Sequence, residues 1–368
     1  MRAAFIFVIL SLLSLPSHAD SPAPLPSIGG LIGDIQIRKT IDVNTLSRGA
    51  VHRFYIPAGR MPTGQDWLVP VVVIRGAQDG PRFLVTAGVH GDELNGIGAA
   101  HKLIDEITPA ALSGTLTIVP GVNVPGLLAA TRNYPFVNGT GAGTNLNRVM
   151  PGDTSSTDAG VRYAGKVWQG IIANNADFAV DLHTQSTGTA YPLYVFADIR
   201  KKSVEEMARL LGPEMIKIDS GQEGTVETAL NKAGVPAVTF EIGAANVFQN
   251  DLIETSVIGL KRRMAAKGML TEADIPTPKT EPIVGNDPVG VNAEVAGIVI
   301  RMKELLDSVT EGDVIAETRD GFGRILYQYR APVDGHVAAI ATDPFREEGS
   351  LIIRILTMNK SRSCKYGC

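Results

Sequence analysis

The chain has 368 residues, 44% hydrophobic, 20% charged and 6% aromatic, with 39 Gly, 22 Pro and 2 Cys. Lys+Arg of 34 against Asp+Glu of 38 leave a formal net charge of -4, so no basic field exists to hold a nucleic-acid backbone. The length allows two domains, and the abundance of small and branched apolar residues excludes a disordered or collagen-like chain.

Met1-Arg2, the apolar run to Leu15 and the stretch Pro16-Ser17-His18-Ala19 have the order of a secretory signal: a positive start, a short hydrophobic segment and a small-residue cleavage site, predicted at 1–19. The run is shorter than the ~20 residues that span a bilayer. No Cys follows it to carry a lipid, and no later stretch is apolar enough to cross a membrane. The expected location is periplasmic or secreted. Residues 20–66 are weakly patterned, with Pro22, Pro24 and Pro26 marking an extended start.

Short branched apolar runs at 68–74, 83–89, 116–119 and 178–182 predict inner strands of a largely parallel sheet, and 235–242 a further one. Between them Ile97, Ala100, Leu103, Ile104 and Ile107 follow helical spacing, as do 161–172 and 204–211. Such alternation predicts a three-layer α/β domain over 20–274. Ile275-Pro-Thr-Pro-Lys-Thr-Glu-Pro282 can continue neither element, so a linker is expected at 275–288. Closely spaced runs at 298–300, 314–316, 324–329, 336–340 and 351–356, separated by glycine turns, predict a small all-β domain over 289–358. A tail at 359–368 holds both cysteines. In an exported protein Cys364 and Cys368 can close a small disulfide loop, but the mobility of chain ends favours a frayed tail.

The candidate chemistry sits where strands end. His90 and Glu93, in Val89-His-Gly-Asp-Glu, follow the strand at 83–89 and can turn a nitrogen and a carboxylate onto one point, a half-site for zinc. Asp92 and Glu93 are also ordinary first-turn helix residues. His183 leaves a second strand in Asp181-Leu-His-Thr, with Asp181 a local acceptor or a partner that orients a ligand. Three protein ligands and an open position suit a catalytic zinc. Glu241 leaves a third strand; desolvation there raises a carboxylate toward the pKa of a general base. The loop Asn138-Gly-Thr-Gly-Ala-Gly143 fits neither a dinucleotide fingerprint nor a phosphate loop, whereas Asn147 and Arg148 can hold a carboxylate. His52, His101 and His336 lack companions at ligand spacing, and no Gly-x-Ser-x-Gly elbow occurs.

The order His90-x-x-Glu93, Asn147-Arg148, His183, Glu241 resembles the zinc carboxypeptidase superfamily. Ala87-Gly-Val-His-Gly-Asp-Glu93, Asn145-Leu-Asn-Arg-Val-Met-Pro-Gly152 and Asp181-Leu-His-Thr184 are closer to its succinylglutamate desuccinylase/aspartoacylase branch. The segments 311–317 and 331–337 resemble the barrel-like β domain of bacterial members. The resemblance implies a mixed, mostly parallel sheet, one Zn2+ held by His90, Glu93 and His183, and Glu241 as the base toward water. Asn147 and Arg148 would hold a substrate carboxylate. Arg132 would polarise the scissile carbonyl, and Tyr327 or Tyr329 could close over substrate.

Desuccinylation belongs to cytosolic amino-acid breakdown, so the export signal implies another substrate: an extracytoplasmic N-acyl amino acid, peptide or cell-wall fragment. Met302-Lys303 lacks a second Met, which argues against lipoyl or biotinyl attachment. The expected function is an exported zinc amidohydrolase acting near a substrate carboxylate. The alternatives are a zinc carboxypeptidase and a catalytically silent binding module. A homo-oligomer, by default an isologous dimer, is compatible with the sequence.

Overall fold

The computed structural model describes residues 30–135, 143–271, 275–278 and 280–368. The expected signal at 1–19 and the glycine loop, apart from Gly143, lie outside the described residues.

Ala50–Arg60 (β1) and Asp66–Arg75 (β2) form a long antiparallel hairpin in which Phe54, Ile56 and Ala58 alternate inward. Gln78–Ala87 (β3) leads through a short turn into Leu94–Glu106 (α1), and Ser113–Val119 (β4) follows. Ala159–Val167 (α2) starts where the Asp158 carboxylate accepts the Val161 N–H. Then come Phe178–Gln185 (β5), Thr189–Ala197 (β6), Lys202–Leu210 (α3), Met215–Ile218 (β7), Val226–Lys232 (α4), Ala237–Ala244 (β8) and Asn250–Ala265 (α5). The C-terminal strands are Asp287–Asn292 (β9), Gly297–Arg301 (β10), Val314–Arg319 (β11), Ile325–Arg330 (β12), Gly335–Ala341 (β13) and Leu351–Thr357 (β14).

The main sheet runs β1-β2-β4-β3-β5-β8-β6-β13-β14-β9. Its central block β4-β3-β5-β8 is parallel, so the carboxyl ends of β3, β5 and β8 reach one edge. Side chains alternate between two cores. Phe83, Val85, Val238 and Phe240 pack on one face with Leu103 of α1, Met207 of α3 and Leu260 of α5. Leu84, Ala179 and Ala237 face the other way, toward Tyr163 of α2 and Leu230 of α4. This is the expected three-layer α/β arrangement.

The C-terminal strands do form antiparallel sheets, with β12-β11-β10 in a second sheet. They are nevertheless joined to the first part. The outer edge of β6 is shared: Ala190 and Thr189 pair with Ile340 and Ala341 of β13, while Tyr194–Ala197 pairs in parallel with β7. Within the expected linker, Ile283–Gly285 adds a further parallel strand beside β7. The expectation of a frayed tail is corrected. Cys364 and Cys368 form a disulfide, the Asn286 amide donates to the carbonyls of Cys364 (2.7 Å) and Asn359 (2.8 Å), and the Cys368 N–H donates to Asn286 O at 2.7 Å. Among the described residues no helix is long and apolar enough to cross a membrane.

Candidate active site

At the carboxyl edge, Gly88 takes a φ of +66° and turns the chain out of β3, carrying His90 over the sheet. Gly91 then passes so near the turn at Gly126 that a Cβ would lie 2.1 Å from the Gly126 carbonyl carbon. Glu93 is the N-cap residue of α1, yet its side chain makes no cap hydrogen bond. It points instead at two histidines. Its oxygens lie 2.8 Å from His90 Nδ1 and 2.7 Å from His183 Nδ1, and the two Nδ1 atoms are 3.2 Å apart. All three side chains are buried.

A tetrahedral zinc with nitrogens at about 2.0–2.1 Å sets those nitrogens about 3.3 Å apart. The observed spacing, and donor atoms that all fall within 4.8 Å of one another, therefore fit a single ion. Each ring is also fixed from behind. His183 Nε2 donates to the Asp181 carboxylate at 2.7 Å, and Asp181 accepts the Thr86 hydroxyl at 2.6 Å. His90 Nε2 donates to Asn145 Oδ1 at 3.0 Å. With Nε2 protonated, both Nδ1 lone pairs are free for a metal. Burial opposes charge on Glu93, but His90 and His183 outweigh it and hold the carboxyl well below its ordinary range.

Register brings Glu241 beside this group, because it is the pairing partner of His183 across β8 and β5. Its side chain is 9% exposed and Oε2 has no hydrogen-bond partner. Burial, only partly offset by His183, pushes its carboxyl up to about 8.

His90, His183, Glu241, Arg132, Asn147 and Arg148 line one cavity of about 120 Å³. The individual partners refine the sequence expectations. The Arg132 guanidinium contacts the Glu93 carboxylate. Asn147 Oδ1 accepts the Val226 N–H at 2.9 Å, so this residue ties the cavity wall to α4. Arg148 donates to the Asn147 carbonyl at 2.6 Å and is exposed. Neither tyrosine suggested for closing over substrate lines the cavity. Tyr329 is buried in the C-terminal β region against Thr318 and the Glu294 N–H, and Tyr327 is exposed.

Sequence reading missed several lining residues: Phe196, Asp219, Gln222, Thr225, Glu227 and Thr239. It also gave Asn145 no role, although Asn145-Leu-Asn-Arg was already singled out. An Asn two residues before a candidate binding pair is the kind of short polar side chain that can fix a ring.

Residues 79–266 match the family model described as the succinylglutamate desuccinylase/aspartoacylase catalytic domain. Over 327 residues the chain is 29% identical to the N-alpha-acetyl-L-2,4-diaminobutyric acid deacetylase of Halomonas elongata, covering 82% of this chain and 90% of that one. Among solved structures, the product-bound ectoine utilization protein of Ruegeria pomeroyi is similar at TM-score 0.73 and 24% identity, covering 85% of this chain and 98% of that one. A succinylglutamate desuccinylase from a Silicibacter species is similar at TM-score 0.71 and 22% identity, covering 85% and 97%.

Proposed function

Because the chain belongs to the succinylglutamate desuccinylase/aspartoacylase family, we propose that it is an exported zinc-dependent deacylase hydrolysing the amide of an N-acyl amino acid. The relatives named as a deacetylase and a desuccinylase support amide hydrolysis. The observation that carries the reading is Glu241, a buried carboxylate with a bare oxygen beside a His-Glu-His group, in a cavity that also holds Arg148.

His90, Glu93 and His183 would hold the ion. Zinc in such a site supplies Lewis acidity, polarising a carbonyl and lowering the pKa of water to about 7. Glu241, buried beside the His-Glu-His group with one oxygen unpartnered, accepts a proton from the attacking water. Water oxygen adds to the carbonyl carbon, the C–N bond breaks, and Glu241 returns its proton to the departing nitrogen. Arg132 stabilises the charge that builds on the carbonyl oxygen, a contribution of a few kcal/mol when such a donor is well aimed. Arg148, with Asn147 beneath it, fixes the substrate carboxylate through charge-assisted hydrogen bonds. The Cys364–Cys368 disulfide supports an oxidising, extracytoplasmic location.

The test joins metal analysis to Glu241→Gln. About one zinc per chain is expected in both proteins, with hydrolysis of N-acetyl amino acids reduced about 10²–10⁴-fold in the variant. Metal-free protein, or a fully active variant, would overturn the mechanism.

A further inference from the structure

At the edge of the sheet opposite the His-Glu-His group, a second cavity of about 460 Å³ opens where the parallel strands begin. Its walls include Pro81 near the start of β3, Phe178 at the first position of β5, and Pro236 just before β8. Arg263 in the last turn of α5, Lys267 just beyond it and Ser203 in the first turn of α3 complete the lining that matters here. Phe178 lies five residues before His183, about 16 Å along β5, so the two cavities are separate.

Arg263 sets this cavity apart. It is 2% exposed, yet its Nε has no hydrogen-bond partner, and among the described residues no carbonyl or carboxylate accepts from its guanidinium. The guanidinium carbon lies 4.8 Å from the centre of the Phe178 ring. Burial pulls the Arg263 pKa below the ordinary arginine value, and Glu206 offsets that only in part. A buried cation without an acceptor is costly. Contact with Phe178 does not explain it, since a methionine would cover the ring without a charge, and a helix C-terminus attracts cations without burying them. Arg262, beside it in the same turn, shows the ordinary outcome by donating to the carbonyls of Pro276 and Thr277.

The surroundings are positive. Lys267 is exposed and, among the described residues, pairs with no carboxylate. The one carboxylate lining the cavity among the described residues is Asp177, which Arg82 already holds at 2.6 Å. Lys201, the N-cap residue of the nine-residue α3, makes no side-chain cap hydrogen bond, which leaves donors at the Ser203 wall. We propose that this cavity is a phosphate-binding site in which Arg263 and Lys267 share one dianionic phosphate group, either the free ion or the head of a small organic ester. A phosphate brings two charges to both cations on a single group, where a carboxylate brings one. The space bounded by Pro81 and Pro236 would take the apolar body of an ester.

The experiment is calorimetric titration of the full chain, with zinc supplied, by phenyl phosphate, inorganic phosphate, succinate and chloride. Saturable binding of about one phosphate compound per chain is expected, and the tighter of the two phosphates identifies the source. Kd should rise about tenfold or more in Arg263→Met and by a smaller factor in Lys267→Met, both variants keeping the wild-type circular dichroism. Ligand-free Arg263→Met should melt no lower than the wild type, because it loses an unpaired buried charge. Should that variant not fold, Lys267→Met, at an exposed position, still decides. Three results overturn the proposal: no saturable phosphate binding, succinate or chloride binding as tightly as phosphate, or phosphate affinity unchanged in the variants, which would place the anion at the zinc site.

Discussion

Asp181 touches no substrate-facing surface, yet it decides which nitrogen of His183 is available. Its 2.7 Å contact keeps the proton on Nε2 and leaves Nδ1 turned toward Glu93. Asp181→Asn should weaken metal binding about 10–100-fold, measured by chelator competition, because an amide can present a donor where an acceptor is needed. Unchanged affinity would show that the ring is held by packing alone. Glu227 makes a different prediction, concerning pH. Its folded pKa is about 8 against an ordinary 4.5, so the carboxyl is protonated in both states at pH below 4.5. As pH rises toward 8 the unfolded chain ionises freely while the folded chain does not, and stability falls through that window. Glu227→Gln should remove this decline and be more stable than wild type near pH 8.5 by a few kcal/mol in ligand-free protein. Urea midpoints across pH 4–9 would read it; parallel curves would refute it.

Among the elements, α4 forms a wall of the cavity and is capped twice. Thr225 accepts the Thr228 N–H, and Asn147 accepts the Val226 N–H. Just before it, Gly224 has a φ of +80° and sits where a Cβ would lie 2.1 Å from the Arg148 carbonyl oxygen. Thr225→Ala should therefore cost about 1 kcal/mol in thermal stability. Asn147→Ala should lose a similar amount and also raise KM, since the wall and Arg148 shift together. The elements that position the His-Glu-His group were legible because the inner parts of β3, β5 and β8 are buried on both faces and rich in branched and aromatic apolar residues. The strands β1 and β6 were not. β1 alternates between core and partly exposed residues and contains Pro57 at an irregularity in its pairing, while β6 contains Pro192. The short α4 offers too few turns for periodicity to register. Glu227 was illegible for the same reason that makes it informative: an acid in a first helical turn is ordinary in sequence, and only tertiary packing buries it. His90 and Glu93 could be picked out because they follow a recognisable strand end, and His183 and Glu241 because they interrupt apolar runs that the structure extends past them, to Gln185 in β5 and Ala244 in β8.

At the scale of the molecule, the C-terminal strands complete the edge of β6, and Arg354 of β14 donates to the Tyr191 hydroxyl at 3.0 Å. A chain stopped at residue 271 would leave half of that edge and the apolar groups around it uncovered. It should aggregate on size-exclusion chromatography; a monodisperse, zinc-binding fragment would show that the first part folds without the second. The shared edge also limits how the enzyme can move. Swinging the C-terminal part away would tear backbone pairs at Ala190 and Thr189, and the strand 283–285 would have to leave β7 as well. Substrate admission by a hinge between two lobes is thus disfavoured, and turnover should depend little on solvent viscosity beyond ordinary diffusion. The selectivity of the cavity then resembles that of a rigid mould, with discrimination fixed before the substrate arrives.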